Sequence, residues 1–253
     1  MATVGTLGAQ QRRAMLQERL NHDGALRLDD IAEELSVSAM TVRRDLDDME
    51  AEGLLRRVRG GAISIAGPRP FDERRAVRSR AKQVIASKAA ALIPQSGSIA
   101  LDASTTTGTI ASTLGQREGL SVATNSLENF VVLRAIPGVT GMVTGGESEP
   151  NTESLVGLLA CQGAASVLYS RFFSSASAVD PVLGSSEVSL AESQVKQAFA
   201  SAARETILCV DSSKLDDRSI SVSFNLRDVA MLITELDPRD SRLDAYREHV
   251  ELL

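Results

Sequence analysis

The chain has 253 residues, with 27 Lys plus Arg against 33 Asp plus Glu and a formal net charge of −6. That balance excludes a protein that coats nucleic acid or an anionic membrane over its whole surface, but it leaves room for a local basic patch. Cys161 and Cys209 stand far apart without CxxC spacing, so neither a disulfide framework nor a zinc site is expected, and a reducing compartment fits.

The hydrophobic share of 43% is ordinary for a globular chain, and with 3% aromatics and no Trp the core must be aliphatic. This length suits one large or two unequal domains. Residues 1–13 are polar and lack the apolar stretch of a secretory signal. No apolar run approaches the roughly 18 residues that a membrane span needs. A cytoplasmic protein with no membrane partner is expected.

In chain order, Gln10 to Leu20 reads as a helix with Met15, Leu16 and Leu20 on one stripe, broken by Asn21-His22-Asp23-Gly24. Leu28 to Leu35 predicts a short helix, and Ser36-Val37-Ser38 a tight connector. Ser38 is a good N-cap for a third helix from Ala39 to about Glu52. Its inward face is Val42, Leu46 and Met49 at i, i+4, i+7, and Gly53 closes it. Leu54 to Ile65 alternates apolar and basic residues around Gly60-Gly61, as a hairpin does. Ala66-Gly67-Pro68-Arg69-Pro70 is a linker by composition.

Further on, helices are predicted over Ala81–Leu92, Thr107–Leu114, Leu127–Arg134, Ser154–Val167 and Glu187–Arg204. Strands are predicted over Ser98–Asp102, Ser121–Thr124, Val139–Thr144, Arg171–Ala176, Thr206–Val210 and Val229–Thr234. This alternation calls for a mainly parallel sheet with helices on both faces. The expected organisation is a small helical domain with a hairpin over 1–65, a basic linker over 66–80 and an α/β domain over 81–253.

The first three helices have helix-turn-helix spacing, with Ile31, Ala32, Leu35, Val37, Val42 and Leu46 inward and the third helix as the reading element. Ser38, Thr41, Arg43 and Arg44 at its front are candidates for phosphates or base edges. From Leu54 to Arg80 eight Arg face only Asp72 and Glu73, net +6 within an acidic chain. A wing bearing Arg56, Arg57 and Arg59 suits a phosphate backbone. Ordinary solvated helices would show much of the same periodicity; the basic wing tips the reading toward DNA.

The stretch RLDDIAEELSVSAMTVRRDLDDMEAEGLLRRVRGGA closely resembles the N-terminal domain of the DeoR family of bacterial repressors, through the long pattern VSxxTxRRDLxxxExxGLLxRxxGGA. The resemblance implies a winged helix-turn-helix reading operator DNA. Arg59 stands where the family commonly has His.

In the second domain, a parallel sheet places ligands at the carboxyl ends of its strands. Asp102-Ala103-Ser104-Thr105-Thr106-Thr107-Gly108 follows a strand and opens a helix. Its hydroxyls and free N–H groups suit phosphate, and simple N-capping explains the same residues equally well. Thr124-Asn125-Ser126 and Gly145-Gly146-Glu147 are weaker signals. Glu192, Gln194 and Lys196 are polar positions on the long helix, where a single Lys is usually solvated.

In order, LDASTTTG, TNS, TGGE, SLVG, ESQVKQAF and VDSSKL again resemble the DeoR family, so the resemblance spans about Gln10 to Asp237. It implies a sensor domain similar to ribose-5-phosphate isomerase that binds phosphorylated sugars. By matching motif positions, Asp102, Ser104, Thr105, Thr106, Thr107 and Lys196 line the ligand site. No catalytic residue, metal or cofactor is implied. One departure stands out: the family usually reads Gly-Ala-Asp-Gly-Ile-Asp where this chain reads Ser175-Ala176-Ser177-Ala178-Val179-Asp180, so Ser177 replaces an acid.

The expected function is a repressor of carbohydrate-metabolism genes whose operator binding is modulated by a phosphorylated sugar. It is expected to act as a homo-oligomer, since helix-turn-helix proteins commonly bind paired half-sites. Two alternatives stay open. One is a sugar-phosphate isomerase with a DNA-binding appendage, with Asp102 and not Ser177 as its base. The other is a repressor that has lost its small-molecule effector.

Overall fold

The computed structural model describes residues 8–52, 54–58, 60–64, 71–149 and 152–253. The chain forms two compact units, 1–70 and 71–253.

In the first unit α1 (Ala9–Asp23), α2 (Leu28–Glu34) and α3 (Ala39–Ala51) surround a three-stranded sheet of β1 (Ala25–Arg27), β2 (Leu55–Val58) and β3 (Gly61–Ser64), ordered β1-β3-β2 and antiparallel throughout. The helix-turn-helix and its hairpin are thus present, and β1 is an addition: only Leu26 of its three residues is buried, too short a signal to read from sequence. Gly24 adopts a left-handed conformation and returns its N–H to Leu20 O, which ends α1 three residues later than expected. Leu16, Leu20, Leu26, Leu28, Ile31, Val42, Leu46, Met49, Leu55 and Ala62 form the core, with Ala32, Leu35 and Val37 packed against it.

One ion pair lies inside this core. Arg12 on α1 donates to Asp45 on α3 through Nε at 2.8 Å and Nη2 at 3.2 Å, with both side chains about nine-tenths buried or more. Gly61 marks a close approach, because a β-carbon there would stand 1.8 Å from Leu26 O on β1. Gly53, Arg59 and linker residues 66–70 lie outside the described residues.

The second unit opens with α4 (Phe71–Ala76) and α5 (Ser79–Ala90). Then come β4 (Gly97–Leu101), α6 (Thr105–Thr113), β5 (Leu120–Thr124), α7 (Leu127–Leu133), β6 (Val139–Val143), β7 (Glu147–Ser148), β8 (Leu155–Val156), α8 (Leu158–Ala165) and β9 (Tyr169–Ser174). They are followed by β10 (Ala178–Asp180), β11 (Gly184–Glu187), α9 (Leu190–Ser201), β12 (Ala203–Cys209), β13 (Ser221–Phe224), β14 (Met231–Ile233), α10 (Asp244–Arg247) and β15 (Glu251–Leu252).

Seven strands form one wholly parallel sheet in the order β15-β14-β12-β9-β4-β5-β6. Adjacent residues of β9 feed opposite faces: Phe172 joins the core under α8 and α9, and Phe173 joins the core under α5, α6 and α7. Among the described residues no helix is long and apolar enough to cross a membrane.

Three readings are corrected. Segment 71–80, expected as linker, belongs to the second unit: Arg74 donates to Thr152 O, and Arg78 pairs with Asp211 and Glu235. Leu155 and Val156 form a strand rather than the start of a helix, because Gly157, at φ 86°, separates them from α8. Glu187 lies on β11 and not on the long helix. That strand reads Gly-Ser-Ser-Glu with all four residues buried, so apolar periodicity cannot reveal it. It pairs with β10 and β13 in a small antiparallel sheet that the sequence did not suggest.

Candidate DNA-reading face and effector site

On α3 the Ser38 side chain caps the helix, accepting from Thr41 N at 3.1 Å and lying 2.8 Å from Thr41 Oγ1. These two hydroxyls therefore order the helix start. Val42 and Leu46 point into the core, which leaves Arg43 and Arg44 exposed on the other side. Among the described residues neither guanidinium has a hydrogen-bond or ion-pair partner. Unpaired, exposed arginines at the front of a recognition helix can reach guanine edges or phosphates.

The wing arginines divide. Arg56 is exposed and has no partner among the described residues. Arg57 is half-buried: its Nε pairs with Asp47 at 3.0 Å, its Nη1 donates to Gly61 O at 3.2 Å, and its backbone N–H donates to Glu50. Arg57 thus braces the wing on α3 while Asp47 offsets its charge. Arg59 is outside the described residues. Arg56→Ala is expected to flatten the slope of log K against log salt by about one unit on any duplex. Arg57→Ala is expected to change the slope less and to lower the stability of the first unit. Anisotropy titrations at four salt concentrations, with a melting curve, separate the two.

The second constellation lies where the sheet changes direction. From β4 the chain moves to β5 and β6 on one side, whereas β9 returns on the other, so β4 and β9 flank a topological switch point. Such a point is where open α/β sheets hold ligands, outside the carboxyl ends of the strands. Asp102 follows β4 and Ser175 follows β9.

Asp102 is wholly buried. One carboxylate oxygen accepts from Ser104 N (2.9 Å) and Thr107 Oγ1 (2.8 Å), the other from Ser174 Oγ (3.0 Å) and Ser175 N (2.7 Å). Lys196 Nζ is 3.1 Å from that second oxygen. Burial opposes ionisation, but Lys196 and the donors at Ser104 and Ser175 outweigh it and hold the carboxyl below the usual range. Asp102 therefore shapes the loop from within.

Ser104 caps α6 by accepting from Thr107 N, and Thr107 is buried under it. The hydroxyls of Thr105 and Thr106 make no hydrogen bond among the described residues and sit at the helix N-terminus, where the first amides lack intrahelical partners. Both side chains are nonetheless buried, at 6% and 4% exposure.

Lys196 is not the solvated or phosphate-facing cation that sequence suggests. Its ammonium lies between Asp102 and Glu187, the latter at 2.5 Å, and donates to Ser175 O at 2.8 Å. Burial alone would lower its pKa, but Asp102, Glu187 and Glu192 raise it above the ordinary range. Its positive charge is consumed inside the network.

Sequence reading missed Glu187 and Arg74, and marked Glu192 only as a polar position on the long helix. Glu187 is buried and accepts from Ser177 Oγ at 2.8 Å; burial, only partly offset by Lys196, pushes its carboxyl up to about 7. Glu192 accepts from Ser154 Oγ at 2.9 Å. Arg74 on α4, which packs on α6, lies within electrostatic reach of Glu192, Glu153 and Asp102. Lys82 on α5 is buried and donates to Arg74 O and Val77 O. Arg74 was hidden in a stretch that composition marks as linker.

The model of the DeoR-like helix-turn-helix domain matches residues 12–67, and that of the DeoR C terminal sensor domain matches residues 77–236. A lactose phosphotransferase system repressor from Lactococcus lactis subsp. lactis is 30% identical over 98% of this chain and 99% of its own. A putative aga operon transcriptional repressor from Escherichia coli O157:H7 is 26% identical over 97% of this chain and 94% of its own. Ribose 5 phosphate isomerase A from Neisseria gonorrhoeae aligns over 54% of this chain and 53% of its own, with 19% identity and a TM-score of 0.38, too distant a likeness to carry an argument about chemistry.

Proposed function

Because the chain belongs to the DeoR family, we propose that it is a transcriptional repressor of carbohydrate-metabolism genes whose hold on operator DNA is modulated by a phosphorylated sugar. The observation that carries this reading is the presence in one chain of an Arg43–Arg44 face on α3 that has no partner among the described residues and a donor-rich loop at the switch point of a parallel sheet. The phosphate would meet the hydroxyls of Thr105 and Thr106 and the amides that open α6. Arg74 would supply the charge that Lys196 does not.

The protein acts as a regulator and not as an isomerase. An isomerase base must reach a carbon-bound proton. Asp102, the carboxylate at the strand end, has both oxygens engaged by protein donors and no exposed surface. Such a regulator works in the cytoplasm, as a homo-oligomer on paired half-sites.

The test begins by selecting duplexes that the full chain binds from a random pool. Arg44→Ala is expected to weaken the selected duplex by about 1–3 kcal/mol, the worth of one bidentate guanine contact. Ribose 5-phosphate, fructose 6-phosphate and glucose 6-phosphate are then titrated against the complex. Release by at least one of them, lost in Thr106→Ala, supports the reading. Intact binding by Arg43→Ala, Arg44→Ala and the double variant would refute the placement of the reading helix.

A further inference from the structure

β6 is one edge of the large sheet, and among the described residues no strand pairs with its outer side. Leu120 N donates to Gly138 O, and Thr144 N donates to Thr124 O. Even-numbered backbone groups therefore serve β5, and the alternation along a strand turns those of Val139, Gly141 and Val143 outward. An open edge pairs with other chains unless charge, proline, a bulge or shortness blunts it. The opposite edge is blunted: β15 has two residues, one of them Glu251. β6 runs Val-Thr-Gly-Met-Val in unbroken register, with no charge and no proline. Beside it, α7 leaves Leu127 and Val131 49% and 54% exposed, one turn apart. We propose that β6 pairs antiparallel with β6 of a second copy of this chain, about a two-fold axis at Gly141. The proposal rests on the homo-oligomer reading above and adds the surface that makes it.

The edge is complementary to itself. With Gly141 opposite its own counterpart, Gly141 N donates to Gly141 O of the second copy and Val143 N to its Val139 O, each bond made twice by symmetry. Val139 N is already engaged with Ile136 O, so it leaves no donor stranded in the seam. Side chains directly opposite one another share a face. For the odd positions that face carries α7, since a β-carbon at Gly141 would touch Leu133 and Phe130 at 3.4 Å. Val139 and Val143 thus form β-branched cross-strand pairs beside the exposed side chains of α7. Charge agrees. From Asn129 to Gly146 the one charged residue is Arg134, ahead of β6, and Glu147 follows the strand. Both are exposed, and neither side chain has a hydrogen-bond or ion-pair partner among the described residues. Antiparallel pairing brings Arg134 of each copy to the end where Glu147 of the other lies. The same two-fold symmetry suits helix-turn-helix domains on paired half-sites.

Sedimentation velocity on the full chain, free and on the selected duplex, tests this. The wild type is expected to form a dimer or an even-numbered assembly. Val143→Pro removes an outward N–H and leaves the ladder to β5 whole, and Val131→Lys places a charge on the exposed side of α7. Each is expected to raise the dissociation constant of the dimer by about tenfold or more. Arg134→Glu is expected to raise it by about tenfold, and adding Glu147→Arg to restore it, because exchanging both signs re-creates each pair. Circular dichroism and the melting curve of each variant check that the second unit is folded. If Val143→Pro fails to fold, Val131→Lys and the charge exchange decide. A dimer that ignores Val143→Pro and Val131→Lys, or an exchange no better than Arg134→Glu, would overturn the interface at β6. A wild type that is monomeric both free and on the duplex would overturn the homo-oligomer reading itself.

Discussion

Lys196→Met is expected to cost the second unit about 3–5 kcal/mol at pH 8, the usual penalty for removing one partner of a buried ion pair. The ammonium touches Asp102, Glu187 and Ser175 O, and none of these groups can turn to water in its place. The loss should depend on pH, with a defined sign. Without the cation, Asp102 and Glu187 both favour their protonated forms in the fold. The folded variant then binds more protons than the unfolded chain above about pH 5, so its stability falls as pH rises. Urea unfolding at pH 5.5 and at pH 8 should show a deficit that is largest at pH 8. The wild type should show a weaker trend of the same sign between about 4.5 and 7, because Glu187 alone is held at about 7. A deficit under about 1 kcal/mol, or one that is flat with pH, would mean that the network does not confine Lys196.

Gly61→Val should largely undo the wing. In β1-β3-β2 the central strand begins at Gly61, and a β-carbon there would stand 1.8 Å from Leu26 O and 2.9 Å from Leu26 C. The obstacle is backbone, so no rotamer change relieves it, and β1 must part from β3. Overpacking costs about 1–3 kcal/mol, and a backbone clash belongs at the upper end. For a unit of this size each kcal/mol moves Tm by about 4–8 °C, so the melting transition of the first unit should drop by about 12–24 °C. The transition of the second unit, in the same scan, provides the internal reference. A drop below about 4 °C would show that β1 yields freely.

The parts of the fold that were legible in sequence are those encoded by neighbours. Ser38 announces α3 through a cap bond three residues long, and Val42, Leu46 and Met49 keep helical spacing on its buried face. The strands of the large sheet stand out as short aliphatic runs such as Gly97–Leu101 and Leu120–Thr124. The illegible parts depend on distant partners. Buried Ser185, Ser186 and Glu187 have the composition of a surface turn, and only pairing with β10 and β13 and contact with Lys196 make a strand of them. Lys196 itself looks like one more solvated lysine until a residue 94 positions earlier reaches it. Arg57 shares the motif of Arg56, and nothing local shows that Asp47 and Gly61 claim it.

The Arg12–Asp45 clamp has a consequence for the regulator's working cycle. Mobile ions screen charges that face solvent, over about 8 Å at physiological ionic strength, and act far less on a pair enclosed in the core. Contacts between exposed arginines and phosphates weaken steeply over the same range. A rise in ionic strength that weakens contacts to DNA is therefore expected to leave the Arg12–Asp45 link between α1 and α3 in place.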